Sequence, residues 1–321
     1  MNKYIGNDMQ IYSVREARLM GGKADGMRIL TVKNGKGLEF TVSLDRCADI
    51  AELSLKGDNF AYISPCGYVA PTFYEREGIG FLKSFTAGFI TTCGLANVGN
   101  PCVDEGVEYN LHGTVSHIPC EQYSYYVEND EIHIKATVRD ASLFSYKLLL
   151  EREYVCSLSE NKIVLIDKIK NIGFDSAPLQ VLYHCNMGYP LLSEKATLNI
   201  PSNEVAPRNE HSKEGISICK TVEEPQRNYE EMCFYHSFET DTPTVSLYND
   251  QIKKGVEMTY STKQLPFFTQ WKMMGEGEYV MGLEPGNCNP DGRDVMRKNG
   301  TLEMLEAGTE KEHRIEFKFI G

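Results

Sequence analysis

The chain has 321 residues, with 33 Lys and Arg against 45 Asp and Glu, a formal charge of −12 and an isoelectric point near 5.2. Apolar residues make up 41% and charged residues 24%, enough for a large core. No run of Lys and Arg offers the basic surface a phosphate backbone needs, and no stretch approaches the roughly eighteen apolar residues of a membrane span, so nucleic acid and membrane are not the expected partners.

The opening, MNKYIGNDMQ, lacks the basic-then-apolar layout of an export signal, and a cytoplasmic location is expected. The period-two pattern of β-strands then sets in. Leu38, Phe40, Val42 and Leu44 alternate with Glu39, Thr41, Ser43 and Asp45, and Asn34-Gly35-Lys36-Gly37 joins this run to residues 27–32 as a hairpin. Arg46 follows between two acids, a fork donor suited to an ion pair or to sugar hydroxyls. Residues 73–85 hold the one candidate helix, with Pro71 near its start and Gly78 and Gly80 weakening it. His112 lies in Glu108-Tyr109-Asn110-Leu111-His112-Gly113, among glycines that let backbone approach a ligand. Ile132, Ile134, Ala136 and Val138 alternate after a turn at Asn129-Asp130, and residues 144–156 and 162–170 read as a further hairpin.

His184 and Asn186 follow the apolar run 178–182 and, two apart on a strand, share a face. Residues 203–229 are polar and read as a long surface loop. Two more strand pairs are predicted, 245–248 with 256–260 and 301–305 with 313–320. Between them Trp271, the sole tryptophan, sits beside Gln270 and Lys272, and Glu284 shares a strand face with Val280 and Gly282 before Pro285 ends the run. Many strands, short turns and few helices predict sheets packed on sheets or a barrel, in one antiparallel domain spanning residues 1–321. The ten cysteines contain no Cys-x-x-Cys, so most are expected as small buried hydrophobes in a reducing compartment.

With Asn110-Leu111-His112-Gly113, Tyr183-His184-Cys185-Asn186 and Gly282-Leu283-Glu284-Pro285 in that order, the chain resembles the aldose 1-epimerase (galactose mutarotase-like) superfamily. Segments 44–50, 88–97 and 270–272 are similar to its DUF4432 branch. The resemblance implies an all-β fold, a β-supersandwich of mostly antiparallel strands with few short helices. It also implies an isomerase that interconverts the α and β anomers of a free sugar without metal or organic cofactor. By motif, Glu284 is the general base, His184 the general acid and His112 a residue that holds the sugar. Arg46, Asn110, Asn186, Gln270 and Lys272 are the substrate-binding candidates. The chain departs from the family around His184, where an aromatic pair is absent, and the family's substrate-binding aspartate has only Glu231 as a candidate.

These residue types suit the reaction. Anomerisation needs one group to take the proton of the anomeric hydroxyl and another to protonate the ring oxygen, with pKa values near neutral. An ordinary His titrates near 6.5 and an ordinary Glu near 4.3. The expected arrangement has the two on opposite sides of the C1–O5 unit. Three alternatives remain open: a metal-dependent sugar isomerase built on His112, His117, His184 and His236, a non-catalytic sugar-binding protein, and a sugar-phosphate epimerase using Arg46, Arg208 and Arg293. A homodimer paired through strand edges is also conceivable from the strand content.

Overall fold

Side-chain alternation dictates the architecture, which a computed structural model describes for residues 3–321. The hairpin read around Asn34 forms as Arg28–Lys33 and Leu38–Ser43, with Leu30 opposite Val42 and Val32 opposite Phe40. It belongs to a five-stranded antiparallel meander, Ser13–Arg18, Arg28–Lys33, Leu38–Ser43, Asp49–Leu55 and Asp58–Asn59.

A second sheet has eight strands, in the order Gln122–Glu128, Glu131–Ala141, Lys147–Ser157, Lys162–Asn171, Glu310–Ile320, Lys254–Tyr260, Thr244–Asn249 and Ala196–Asn199. Its first hairpin turns at Asn129 and Asp130, both at positive φ, as a two-residue turn matched to the strand twist requires. A third sheet runs Glu204–Pro207, Met232–Ser237, Phe267–Gly275, Glu278–Gly286, Ala177–Met187 and Glu303–Leu305, and Ile90–Leu95 pairs with the Ala177–Met187 strand.

Three expectations change. The last two strands do not pair with each other. Glu303–Leu305 joins Ala177–Met187, whereas Glu310–Ile320 lies between Lys162–Asn171 and Lys254–Tyr260. Its inward residues Ile315, Phe317 and Phe319 need a neighbour on both sides, which a terminal hairpin would not supply. The candidate helix at 73–85 is reduced to two 3₁₀ turns, Pro71–Phe73 and Gly80–Lys83, separated by Gly78 at φ +53°. The polar segment 203–229 is not a plain surface loop. It folds into the strand Glu204–Pro207, a short helix Glu210–Glu214 and a 3₁₀ turn, and buries Ser212, Cys219 and Val222.

One apolar cluster draws on all three large sheets, for example Val42 and Ile50, Leu150 and Phe317, and Val181 and Met281. Phe89 packs edge-on against Phe317 and Phe60 against Phe319, with centroids 5.3 and 5.8 Å apart. Burial of each such side chain contributes about 1.5–3 kcal/mol. Eight of the ten cysteines are buried, Cys47, Cys120, Cys156 and Cys185 within this cluster. No helix among the described residues is long and apolar enough to cross a membrane.

The core also holds a charged cross-brace. Arg152, wholly inaccessible, forks onto Asp167 (2.9 and 2.7 Å) and reaches Asp49 Oδ1 (2.5 Å), the Cys47 carbonyl (3.0 Å) and Thr92 Oγ1 (2.7 Å). Tyr183 donates its hydroxyl proton to Asp167 (2.8 Å), and His313 Nδ1 lies 3.2 Å from the Tyr183 hydroxyl oxygen. Tyr183 immediately precedes His184, so the brace fixes the strand from the side opposite that histidine.

Candidate active site

Strand register brings the two proposed proton-transfer residues together. Leu182 pairs with Gly286 and Cys185 with Leu283, which sets His184 directly opposite Glu284 on the neighbouring strand. Glu284 in turn pairs with Thr269, and Thr269 with Tyr235. His184, Glu284 and Thr269 therefore form a row across three strands. Trp271 lies beside Gly282 in the next row. Gly282 is needed here, because a Cβ would fall on Glu284 Oε1 and within 2.9 Å of Trp271 Cβ.

The row forms part of the lining of a cleft of about 270 Å³, at the small end of ligand pockets. One wall is apolar, with Phe81, Leu82, Phe85 and Leu111. The other carries His112, His184, Glu284, Thr269, Arg208 and Glu231. His184 sits at 5.2–5.8 Å, centroid to centroid, from Trp271, Phe85 and His112. His112 adopts a left-handed φ of +57°, and its Nδ1 accepts from the Gly99 backbone N–H at 3.4 Å. The neutral ring then carries its proton on Nε2.

His184 Nε2 lies 3.3 Å from Glu284 Oε1, in contact but out of line for a hydrogen bond. The two are 6% and 2% exposed. Glu284 Oε1, His184 Nδ1 and Thr269 Oγ1 are buried without a protein hydrogen-bond partner. Unsatisfied buried polar atoms are costly, and three of them fall together in this row. Burial raises Glu284 well above the usual carboxylate range, reinforced by Glu231 and opposed by Arg208. Burial also lowers His184 to about 4 and His112 to about 3, the latter aided by the charges of His184 and Arg208. Both shifts favour the uncharged forms, a protonated carboxyl beside a neutral imidazole.

The other candidates divide. Arg46 is not in the cleft. Its guanidinium is committed to the carbonyls of Ser116, Val69 and Ser84 and to His117 Nε2. Gln270 bonds His236 and the Cys219 carbonyl, and Lys272 bonds the Ile218 carbonyl and Glu223, so both hold the folded segment 203–229 against the sheet. Asn110 ties the His112 turn through the Gly113 carbonyl, and Asn186 bonds the carbonyls of Gly88 and His184. These five line none of the cleft and act through the backbone that carries it.

Two further cleft residues, Arg208 and Glu231, read from sequence only as a possible phosphate partner and as a stand-in for the family's aspartate. Arg208 Nη2 bonds Asn100 Oδ1 (3.0 Å) and the Pro290 carbonyl (2.9 Å). Glu231 accepts from Trp271 Nε1 at 2.7 Å. Both come from segments whose polarity reads as loop, just outside the strands Glu204–Pro207 and Met232–Ser237. Of the histidines considered for a metal site, His117 and His236 lie away from the cleft, and no three His, Cys, Asp or Glu converge on a metal-sized centre among the described residues.

The profile of DUF4432, a domain of unknown function, matches residues 24–319. The chain belongs to the DUF4432 family. No functionally curated protein matches the sequence significantly. Among solved structures, this DUF4432 chain is similar to a Klebsiella pneumoniae protein provisionally described as an aldose 1-epimerase, at 26% identity and a TM-score of 0.89, covering 98% of this chain and 86% of that one. A galactose mutarotase-like protein from Clostridium acetobutylicum superposes with a TM-score of 0.68 at 13% identity, over 97% and 99% of the two chains. The galactose 1-epimerase of Lactobacillus acidophilus gives 0.64 at 14%, over 96% and 98%. The architecture is the galactose mutarotase-like fold.

Proposed function

We propose that this DUF4432 protein is an aldose 1-epimerase-like isomerase that interconverts the α and β anomers of an uncharged sugar. The observation that carries this reading is the His184–Glu284 couple, side by side at 3.3 Å in a cleft of monosaccharide scale. The two do not flank the ring from opposite sides, as the chemistry alone suggested. The anomeric hydroxyl and the ring oxygen are both bonded to C1, so adjacent groups on one wall can serve both.

Ring opening takes a proton from the anomeric hydroxyl and gives one to the ring oxygen. The C1–O5 bond breaks and a carbonyl forms at C1. Rotation about C1–C2 and closure reverse both transfers. Each member of the couple is thus acid in one half and base in the other, and one shared proton is enough. With the proton on Glu284 the carboxylic acid protonates the ring oxygen while His184 accepts. Transfer of that proton to His184 gives the form in which Glu284 is the base. His112, with Nε2–H available, is placed to donate to a sugar oxygen.

The surroundings favour an uncharged substrate. Of the three arginines considered for a phosphate, Arg46 is sequestered, and Arg293 is held by Asp104 and the Ala96 carbonyl and stacked on Tyr109. Only Arg208 lines the cleft, already bonded and facing two carboxylates, Glu231 and Glu284. NMR of anomeric exchange across a panel of aldoses and deoxyaldoses tests the reading. The expected result is accelerated exchange of at least one sugar, with E284Q and H184N each losing on the order of 10²–10⁴ in rate while staying folded. Near-normal rates in either variant reject that residue's role, and binding without exchange across the whole panel rejects catalysis.

A further inference from the structure

Outside the cleft, two neighbouring loops carry an apolar surface that the proposed chemistry does not use. Phe144, at the tip between Glu131–Ala141 and Lys147–Ser157, is 95% exposed, and its neighbour Leu143 is 79% exposed. Phe174, in the loop that follows Lys162–Asn171, is 98% exposed. The loops are adjacent because Ile172 N–H donates to the Lys147 carbonyl at 2.9 Å. Single exposed hydrophobes are ordinary, but a cluster of nearly bare phenylalanines is not. Phe144 also holds φ at +62°, uncommon for a bulky side chain.

Between and beside these knobs lies a groove of about 420 Å³, lined by Tyr109, Tyr146, Ala177 and Pro178 as well as the two phenylalanines. One patch thus offers both a projection and a recess. That is the requirement of a two-fold contact, in which the same surface meets itself. Its charges agree. Lys147 and Asp175 both line the groove, Lys147 Nζ donates only to the Ser145 carbonyl, and the Asp175 carboxylate has no partner among the described residues. A two-fold axis would set the Lys147 of one copy against the Asp175 of the other. Covering four phenylalanines and two leucines would bury on the order of 1,000 Å², near the lower end of specific interfaces.

We propose that the Phe144–Phe174 patch is the surface through which two copies of this chain associate, the phenylalanines of each entering the groove of the other. The contact lies at the loop end of the eight-stranded sheet and leaves the strand edges unpaired.

Sedimentation velocity or light scattering over a concentration series reads the association of the full chain. The expected result is a reversible monomer–dimer equilibrium with a Kd on the order of micromolar, as an interface of this size can give. F144S/F174S should weaken it at least tenfold with an unchanged melting temperature, both side chains being bare in the monomer. K147D should weaken it several-fold, and K147D/D175K should restore it. A chain monomeric at all concentrations overturns the proposal, as does a dimer that survives F144S/F174S. Failure of the double charge exchange to restore association overturns the two-fold arrangement.

Discussion

Glu284 sits between opposing charges, which gives a test with a sign. Glu231 raises its pKa and Arg208 lowers it. His184 is in direct contact, His112 lies beside His184 on the same wall, and Cys93, Cys185 and Cys233 are nearby neutral thiols raised by burial. The working couple carries one proton, so activity should fall where a second proton binds and where the last is lost. Removing a negative charge lowers both limits, and removing a positive charge raises them. E231Q should therefore move the kcat/KM–pH profile to lower pH and R208Q to higher pH. No shift in either variant would show that neither charge acts on the couple, and shifts of the same sign that at least one of them does not. Stability should respond as well. Because Glu284 binds its proton more tightly folded than unfolded, the stability it lends is complete below its ordinary pKa near 4.3 and is lost as pH rises through the folded value. E284Q carries no such loss. Its melting temperature relative to the wild type should rise as pH climbs above about 4.3, and a difference that is flat with pH contradicts a raised Glu284.

The strands explain why part of the site was readable and part was not. Period-two alternation puts Gly282 on the face of Glu284 and Asn186 on the face of His184, so the catalytic faces follow from sequence. Alternation also located the hairpins at Asn34 and Asn129, where turn residues agree with the pattern. It does not reveal which strands pair, and pairing is what joins His184 to Glu284 and sends Glu303–Leu305 and Glu310–Ile320 to different sheets. Arg46, Gln270 and Lys272 looked like ligands because they are polar, but they are buried on backbone carbonyls, a distinction that composition does not encode. At this scale Gly282 is the sharpest probe. G282A should displace the Glu284 carboxylate and lower kcat by at least about tenfold. Overpacking of this kind costs about 1–3 kcal/mol in stability, so the chain should still fold. Wild-type kinetics in G282A would mean that the carboxylate position is not critical.

Across the molecule, Arg152 links Asp49 of the five-stranded sheet, Thr92 of the strand beside His184 and Asp167 of the eight-stranded sheet. R152M leaves two buried carboxylates without their counter-ion and should lower the unfolding free energy by about 3–5 kcal/mol, measured by urea denaturation. A loss below about 1 kcal/mol would show that Asp49 and Asp167 reorganise or protonate without cost. The galactose mutarotase-like fold was legible from motif order and strand density. This brace was not, because its residues lie far apart in sequence and only the packed sheets bring them together.

The cleft's floor is woven from strands, while much of its rim, including Ile79, Leu82, Asn100, Arg208 and Glu231, lies outside them. Under the proposed reaction, a library that varies Ile79, Leu82 and Asn100 alone could retune which monosaccharide is admitted while His184 and Glu284 beneath keep their places and their charged neighbours.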